Sequence, residues 1–180
     1  MRGTATLQEM VEAFRLRGEA PAIIAFRGDA IETWSYARLG ATATALARGL
    51  AAEGMARAEP VGILAPNSPE WVAVFFAIVS GGGLAVPLDP ALPDTDLARA
   101  LRDSGLGRIF AAAAHVPRLR ALDAARGLRI VVLDDGGAGG AGTCGWRGLA
   151  RESSAALAPV APDDPASLVY TSGTTASPKG

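Results

Sequence analysis

Four short apolar runs, separated by helix-like stretches, limit the folds open to this chain more than any other feature. The runs begin near Val61 (VGILA), Leu84 (LAVPL), Arg108 (RIFAA) and Arg129 (RIVVL). Runs of this kind are typical of strands buried on both faces, as in parallel sheets whose crossovers are helices. The stretches between them predict helices over 69–80, 94–104 and 116–126. The alternation therefore predicts an α/β fold: a doubly wound, mostly parallel sheet with helices on both faces.

Local signals place other elements before and within this pattern. An apolar stripe from Leu7 to Phe14 predicts a short amphipathic helix, and a second helix over 39–50 ends near Gly54. Residues 22–26 and 31–35 flank a four-residue turn and predict a hairpin. At the start of the helix over 69–80, Ser68 is a candidate N-cap and Pro69 suits the first helical position.

Composition and charge exclude several classes of protein. The chain has 180 residues and a net charge of −1, which argues against binding a polyanion such as nucleic acid through bulk charge. Cys144 is the only cysteine and His115 the only histidine. An internal disulfide, a zinc knuckle and a histidine-rich metal site are therefore not expected.

Targeting and membrane signals are also weak. The first residues carry no apolar signal core, so we expect a cytoplasmic location. Residues 71–88 are uncharged, and their length approaches that of a membrane-spanning helix. Three consecutive glycines at 81–83 interrupt the stretch, and each costs a helix about 1 kcal/mol. The sequence predicts a helix, a glycine turn and a buried strand here.

A glycine-rich segment over 134–145 matches the spacing G-x-G-x-x-G between Gly137 and Gly142. Dinucleotide sites place such glycines directly after a strand, with a helix N-terminus under the pyrophosphate. Here Asp134 and Asp135 put two negative charges where a phosphate would approach. We interpret the segment as a surface loop.

The run TSGTTASPKG at residues 171–180 carries the strongest functional signal. It offers five hydroxyls, glycines with conformational freedom and one ammonium group, which together suit a phosphate-binding loop. Its lysine is the only one among the 17 Lys and Arg residues of the chain, and a compact ammonium can act as a point charge on a triphosphate. A short apolar run over 167–171 predicts a strand that leads into the loop. The candidate nucleotide-binding residues are Thr171, Ser172, Gly173, Thr174, Thr175 and Lys179.

Two other interpretations of this run were considered. A Walker A loop has the same separation between Gly173 and Lys179, but Pro178 stands in place of its second glycine. Gly180 replaces the Ser or Thr that would bind Mg²⁺, so the P-loop interpretation fails. A disordered tail rich in Ser, Thr and Gly remains the simpler alternative from spacing alone.

The run resembles the phosphate-loop signature of the adenylate-forming (AMP-binding) superfamily, approximately Y-T-S-G-T-T-G-x-P-K-G, with Ala176 where the family usually has glycine. Four upstream segments are similar to others of that family. They are WSYARL (34–39, with Arg38 in place of the usual acid), NSPEW (67–71), GGGLAVPLDP (81–90) and RDSG (102–105). The resemblance covers nearly the whole chain and is closest to acyl-CoA synthetases.

The resemblance implies an ATP-dependent ligase that forms an acyl-adenylate and then passes the acyl group to a thiol. It implies ATP and Mg²⁺, coenzyme A or a carrier-protein thiol, and a small, fatty-acid-like carboxylic acid. Residues 1–180 would be the amino-terminal portion of the AMP-binding large domain, inactive alone. The metal ligand and the catalytic lysine of the lid domain would lie beyond residue 180. The alternatives are a non-catalytic remnant or interaction domain, and a piece of a nonribosomal-peptide adenylation domain.

Overall fold

The structure is a computed structural model that describes residues 6–134, 143–150 and 155–170. An antiparallel hairpin is formed by β1 (Pro21–Arg27) and β2 (Ala30–Ser35). A five-stranded sheet has the order β4-β3-β5-β6-β7, and every neighbouring pair in it is parallel. Its strands are β3 (Pro60–Leu64), β4 (Leu84–Pro87), β5 (Arg108–Ala111), β6 (Arg129–Val132) and β7 (Thr143–Gly145).

Six α-helices lie within the described residues. They are α1 (Leu7–Ala13), α2 (Tyr36–Ala52), α3 (Pro69–Ser80), α4 (Asp94–Ser104), α5 (Val116–Ala121) and α6 (Trp146–Leu149). Short 3₁₀ turns cover Phe14–Arg17, Ala113–His115 and Asp123–Ala125. The helices predicted over 69–80 and 94–104 are confirmed with the same bounds.

Alternate strand residues feed two separate apolar cores, one on each face of the sheet. In β3, Val61 and Ile63 pack with α2 and α3, whereas Leu64 packs on the other side with α4 and α5. In β5, Phe110 belongs to the first core and Ile109 to the second. The strands are thus buried on both faces, which confirms the predicted doubly wound α/β architecture.

The uncharged stretch 71–88 folds as the sequence predicts. Helix α3 ends at Ser80, the glycines turn the chain, and β4 begins at Leu84. Gly82 has a φ of +84°, which glycine adopts without a steric penalty. Across the ranges described above, no helix is both long enough and apolar enough to cross a membrane.

Two sequence interpretations are corrected. The sequence predicts a loop throughout 134–145, but Thr143–Gly145 forms β7, paired in parallel with β6. This strand is set by hydrogen bonds to its neighbour rather than by any apolar pattern of its own. The helix predicted over 116–126 ends at Ala121, because Leu122 has extended backbone (φ −90°, ψ 122°). That break allows the 3₁₀ turn after it to place Ala125 in the second core.

Candidate active site

The six predicted nucleotide-binding residues all lie outside the described part of the chain. They are Thr171, Ser172, Gly173, Thr174, Thr175 and Lys179, and the structure describes the preceding segment up to Tyr170. Their assignment therefore stays a prediction. The glycines from Gly137 to Gly142 also lie outside the described residues. The site can be built from the residues that lead into the predicted phosphate loop.

Residues 166–168 lie beside β4, at the edge of the sheet. Ser167 forms an isolated parallel bridge with Ala85. The Ala85 amide donates to the Ala166 carbonyl at 3.0 Å, and the Leu168 amide donates to the Ala85 carbonyl at 2.9 Å. The Ser167 hydroxyl donates to the same carbonyl at 3.1 Å. The sequence predicted a short strand here, and the structure forms a single bridge with strand-like pairing.

The direction of this segment decides which edge of the sheet the predicted loop follows. Because the bridge is parallel, the chain at Ser167 runs the same way as β4 and the other strands. The next described residues therefore lead towards the carboxyl edge of the sheet. Ligands of open α/β sheets bind outside that edge. The hydroxyl-rich run thus follows a segment directed to the edge where phosphate ligands of such folds are held.

Tyr170, the last described residue before that run, is tied to α4. Its hydroxyl donates to Oδ2 of Asp103 at 2.8 Å. Its ring packs against the second core, next to Leu168. Burial of the phenol, with its hydrogen bond to the Asp103 carboxylate, raises the pKa of Tyr170 to about 12. The hydroxyl therefore keeps its proton and acts as a donor at any physiological pH.

The loop after β4 is held by its own side chain and by α5. Oδ1 of Asp89 accepts a hydrogen bond from the Ala91 amide at 2.8 Å, an Asx-type turn. Arg118 donates to the Pro90 carbonyl at 3.0 Å, to Oδ1 of Asp94 at 2.6 Å and to the Leu92 carbonyl. The exit of β4, within the segment GGGLAVPLDP, is thus held in place by these side chains.

The exits of β5 and β6 are linked by Asp134. Its Oδ1 accepts a hydrogen bond from the Ala113 amide at 2.7 Å. The carboxylate that follows β6 is therefore occupied by backbone from the neighbouring exit. This arrangement fits a structural role for Asp134 at the carboxyl edge.

The segment NSPEW begins α3 and fastens the hairpin to it. Ser68 caps the helix by accepting the Trp71 amide at 3.1 Å, and Pro69 occupies the first turn, as predicted. Glu70 is buried, with 7% of its surface exposed, and both its oxygens accept from the Arg27 guanidinium, at 2.8 and 2.9 Å. A paired carboxylate buried this deeply is accounted for by its structural partner.

Arg38, which departs from the family's usual acid, has its own local partners. Its guanidinium stacks 4.0 Å from the centroid of the Trp34 ring and pairs with Glu32 at 3.2 Å. Glu32 also accepts from the Trp34 indole and from Arg27, each at 2.7 Å. The indole and Arg27 hydrogen bonds lower the pKa of Glu32 below its ordinary value. The arginine thus joins a network that orders the hairpin next to α2.

His, Cys, Asp and Glu side chains do not gather in large groups in the portion of the chain that the structure describes. No three His, Cys, Asp or Glu side chains of that portion come together in a group able to hold a metal ion.

The sequence analysis did not connect Asp103 with Tyr170. Both residues belong to segments that carry the family resemblance, but they are 67 positions apart. Spacing alone gives no reason to pair them. Only the placement of α4 and residues 166–168 around β4 brings the two side chains together. Arg118 was missed for the same reason, since it acts across 24 to 28 positions.

A family model described as "AMP-binding enzyme" matches residues 11–180. The match includes the whole described sheet and the hydroxyl-rich run that follows it. The chain belongs to the AMP-binding enzyme family.

Similar proteins include a syringomycin synthase and a feruloyl-CoA synthase. The chain is 35% identical over 159 residues to Syringomycin synthase SyrB1 of Pseudomonas syringae pv. syringae, covering 84% of this chain and 22% of that protein. It is 34% identical over 146 residues to a feruloyl-CoA synthase of an Amycolatopsis species. That match covers 81% of this chain and 27% of the synthase. It thus spans about a quarter of the length of these relatives.

Solved structures of similar fold cover almost the entire chain. A crystal structure of the anthranilate CoA ligase AuaEII in complex with anthranoyl-AMP superposes with a TM-score of 0.81 at 25% identity, covering 99% of this chain and 34% of that one. The N-terminal domain of FACL13 from Mycobacterium tuberculosis superposes with a TM-score of 0.79 at 26% identity. The match covers 98% of this chain and 44% of that one. The fold is that of the amino-terminal part of adenylate-forming enzymes.

Proposed function

We propose that residues 1–180 are the amino-terminal portion of the large domain of an ATP-dependent carboxylate-activating ligase. The carboxylate oxygen of the substrate attacks the α-phosphorus of ATP, and the bond to the β-phosphate breaks to release pyrophosphate. A thiol then displaces AMP from the acyl-adenylate and forms a thioester. The family match over residues 11–180, which includes the phosphate-loop sequence, carries this proposal.

The predicted loop would serve the first of these steps. Two anions, a carboxylate and a triphosphate, must approach each other, so charge compensation and orientation dominate the barrier. Thr171, Ser172, Gly173, Thr174, Thr175 and Lys179 would supply hydroxyl, amide and ammonium donors to the β- and γ-phosphates. The direction of residues 166–170 towards the carboxyl edge of the sheet supports this placement.

The thiol and the acid are further parts of the proposal. We favour coenzyme A as the thiol and a small, fatty-acid-like carboxylic acid as the substrate, with a cytoplasmic location. The similarity to a feruloyl-CoA synthase and to the anthranilate CoA ligase AuaEII supports coenzyme A as the thiol. Transfer to a carrier-protein thiol, as in a nonribosomal-peptide adenylation domain, is the second candidate. The similarity to Syringomycin synthase SyrB1 supports that candidate.

The test uses the protein at its full encoded length, including any sequence that flanks residues 1–180. It is incubated with ATP, Mg²⁺ and single acids from fatty, aromatic and amino-acid panels, and acyl-AMP is detected by mass spectrometry. Coenzyme A or a carrier-protein phosphopantetheine thiol is then added, and the thioester is measured. We expect acyl-AMP with at least one acid and a thioester with CoA. A thioester formed only on the carrier would select the second candidate.

We expect residues 1–180 alone to form no acyl-AMP under the same conditions. The chain spans 22 to 27% of the relatives reported above, so most of the groups that position the reactants would be supplied by other segments. The full-length protein is the positive control. Acyl-AMP formed by the 180-residue chain at a rate above a protein-free blank would contradict this prediction, and no acyl-AMP from either form would favour a non-catalytic domain.

A further inference from the structure

The contact between Asp103 and Tyr170 joins two segments that carry the family resemblance but have no assigned role in common. Asp103 lies near the end of α4, in the sequence RDSG, and its carboxylate is exposed to solvent. Tyr170 immediately precedes the hydroxyl-rich run. Their 2.8 Å hydrogen bond ties this segment to α4, which also brings the Ser104 hydroxyl within interaction range of the Tyr170 hydroxyl. It lies one residue before the predicted phosphate loop.

Two kinds of anchor hold the chain ahead of the loop. Backbone hydrogen bonds with Ala85 fix Ala166 and Leu168 beside β4. Beyond Leu168, Val169 is 56% exposed, so its side chain contributes little packing. Tyr170 then contacts the rest of the protein in two ways. Its ring packs on the second core, and its hydroxyl donates to Asp103. The hydroxyl is the polar anchor nearest to Thr171 among the described residues.

The Tyr170 hydroxyl and the Asp103 carboxylate are chemically suited to form a stable hydrogen bond. Burial and the Asp103 carboxylate raise the pKa of Tyr170 to about 12, so the hydroxyl stays protonated and available as a donor near neutral pH. The acceptor is a carboxylate, and hydrogen bonds to charged groups are shorter and stronger than neutral ones. Asp103 itself is carried on α4, whose Leu97, Ala100 and Leu101 are buried in the second core. The anchor is therefore connected to the rigid part of the fold.

We infer that Asp103 is a positioning residue for the phosphate loop. Acting through Tyr170, it fixes where the chain enters the loop and so how the loop's donors meet the β- and γ-phosphates of ATP. Asp103 touches no reacting atom. This inference rests on the proposed function, because a loop without a nucleotide would have nothing to position.

The test compares variants of the protein at its full encoded length. Tyr170→Phe removes the hydroxyl and keeps the ring packing, and Asp103→Ala removes the acceptor. Asp103→Asn keeps an acceptor oxygen and is the conservative variant. The matched control is Asp96→Asn on the same helix, where the carboxylate pairs only loosely with Arg99, at 3.9 Å.

Adenylate formation is measured against ATP concentration, and thiol transfer is started separately from preformed acyl-adenylate. We expect Tyr170→Phe and Asp103→Ala each to lower kcat/KM for ATP roughly five- to twenty-fold, at the low end of what a hydrogen bond to a charged group contributes, because this one is exposed to solvent. The double variant should be no worse than either single one. Asp103→Asn should fall between Asp103→Ala and the wild type, because it keeps an acceptor oxygen but loses the charge. Thiol transfer should be unaffected, because pyrophosphate has already left.

Hydrogen exchange supplies a readout independent of turnover. Peptides within 171–180 should exchange faster in Tyr170→Phe and Asp103→Ala than in the wild type or in Asp96→Asn, and Mg²⁺-ATP should protect them less. An active wild type with variants indistinguishable from the Asp96→Asn control overturns the inference alone. Equal losses in both half-reactions also overturn it, since they indicate general destabilisation. A wild type that activates no carboxylate overturns both the inference and the proposed function.

Discussion

Replacing Lys179 by alanine in the full-length protein is expected to lower either the rate of adenylate formation or the affinity for ATP roughly ten- to a hundred-fold. The change removes one cation from a polyanionic leaving group, a charge-assisted contact worth about 1.5–3 kcal/mol. Lys179→Arg should recover only part of the loss, because a planar guanidinium cannot occupy the position of a compact ammonium. The measurement is the rate of acyl-AMP formation at several ATP concentrations.

The decisive comparison for Lys179 is between the two half-reactions of one variant. Thiol transfer from preformed acyl-adenylate should suffer less than adenylation, since no pyrophosphate remains to be stabilised. Arg126→Ala is the matched control for loss of one positive charge, because the Arg126 side chain is 85% exposed and its ion pair among the described residues is with exposed Asp123. Equal losses in both half-reactions would mean that Lys179 supports the fold, and unchanged adenylation would mean that it does not contact the phosphates.

Gly49→Ala is expected to destabilise the protein by about 2–3 kcal/mol, although alanine ordinarily favours a helix interior by about 1 kcal/mol over glycine. Gly49 lies in α2 where α6 crosses it. A Cβ on Gly49 would lie 2.0 Å from the Leu149 carbonyl oxygen and 2.9 Å from the carbonyl carbon. Because these are backbone atoms, α6 must move as a unit. The packing penalty therefore outweighs the gain in helix propensity.

Thermal unfolding checks this prediction against a control in the partner helix. We expect Gly49→Ala to lower Tm by about 5–10 °C, given about 2–4 °C per kcal/mol for a chain of this size. Gly148→Ala makes the same change in α6, where nothing lies within 4 Å of the new Cβ, and should leave Tm unchanged or slightly higher. A Gly49→Ala Tm equal to that of the wild type would show that α6 does not pack on Gly49.

The main sheet could be predicted because each of its long strands carries its own signal. The strands β3 to β6 are buried on both faces, so nearly every residue in them is apolar and the runs are visible in the sequence. The cap at Ser68 and the first-turn Pro69 act locally, and they fixed the start of α3 to the residue. In contrast, β7 has three partly buried residues and exists through its pairing with β6. Pairing through backbone hydrogen bonds requires no particular pattern of apolar residues, so the sequence does not show this strand.

The sequence could predict the site only where the residues concerned are neighbours in the chain. Hydroxyls, glycines and a single lysine in one run predict a phosphate loop without any knowledge of the fold. The connection between Asp103 and Tyr170 depends on how α4 and residues 166–168 flank β4, so it appears only in three dimensions. The partners of Arg38 likewise follow from the packing of the hairpin against α2 rather than from the motif in which it occurs.

The most direct test of carboxylate activation is the exchange of labelled pyrophosphate into ATP by the full-length protein. Exchange requires that the acyl-adenylate form reversibly on the protein, and it needs no thiol. The account predicts label in ATP only when Mg²⁺ and a suitable carboxylic acid are both present, with the signal reduced at least ten-fold in Lys179→Ala. Folded full-length protein that binds ATP but exchanges no label with any acid of the fatty, aromatic and amino-acid panels would contradict it.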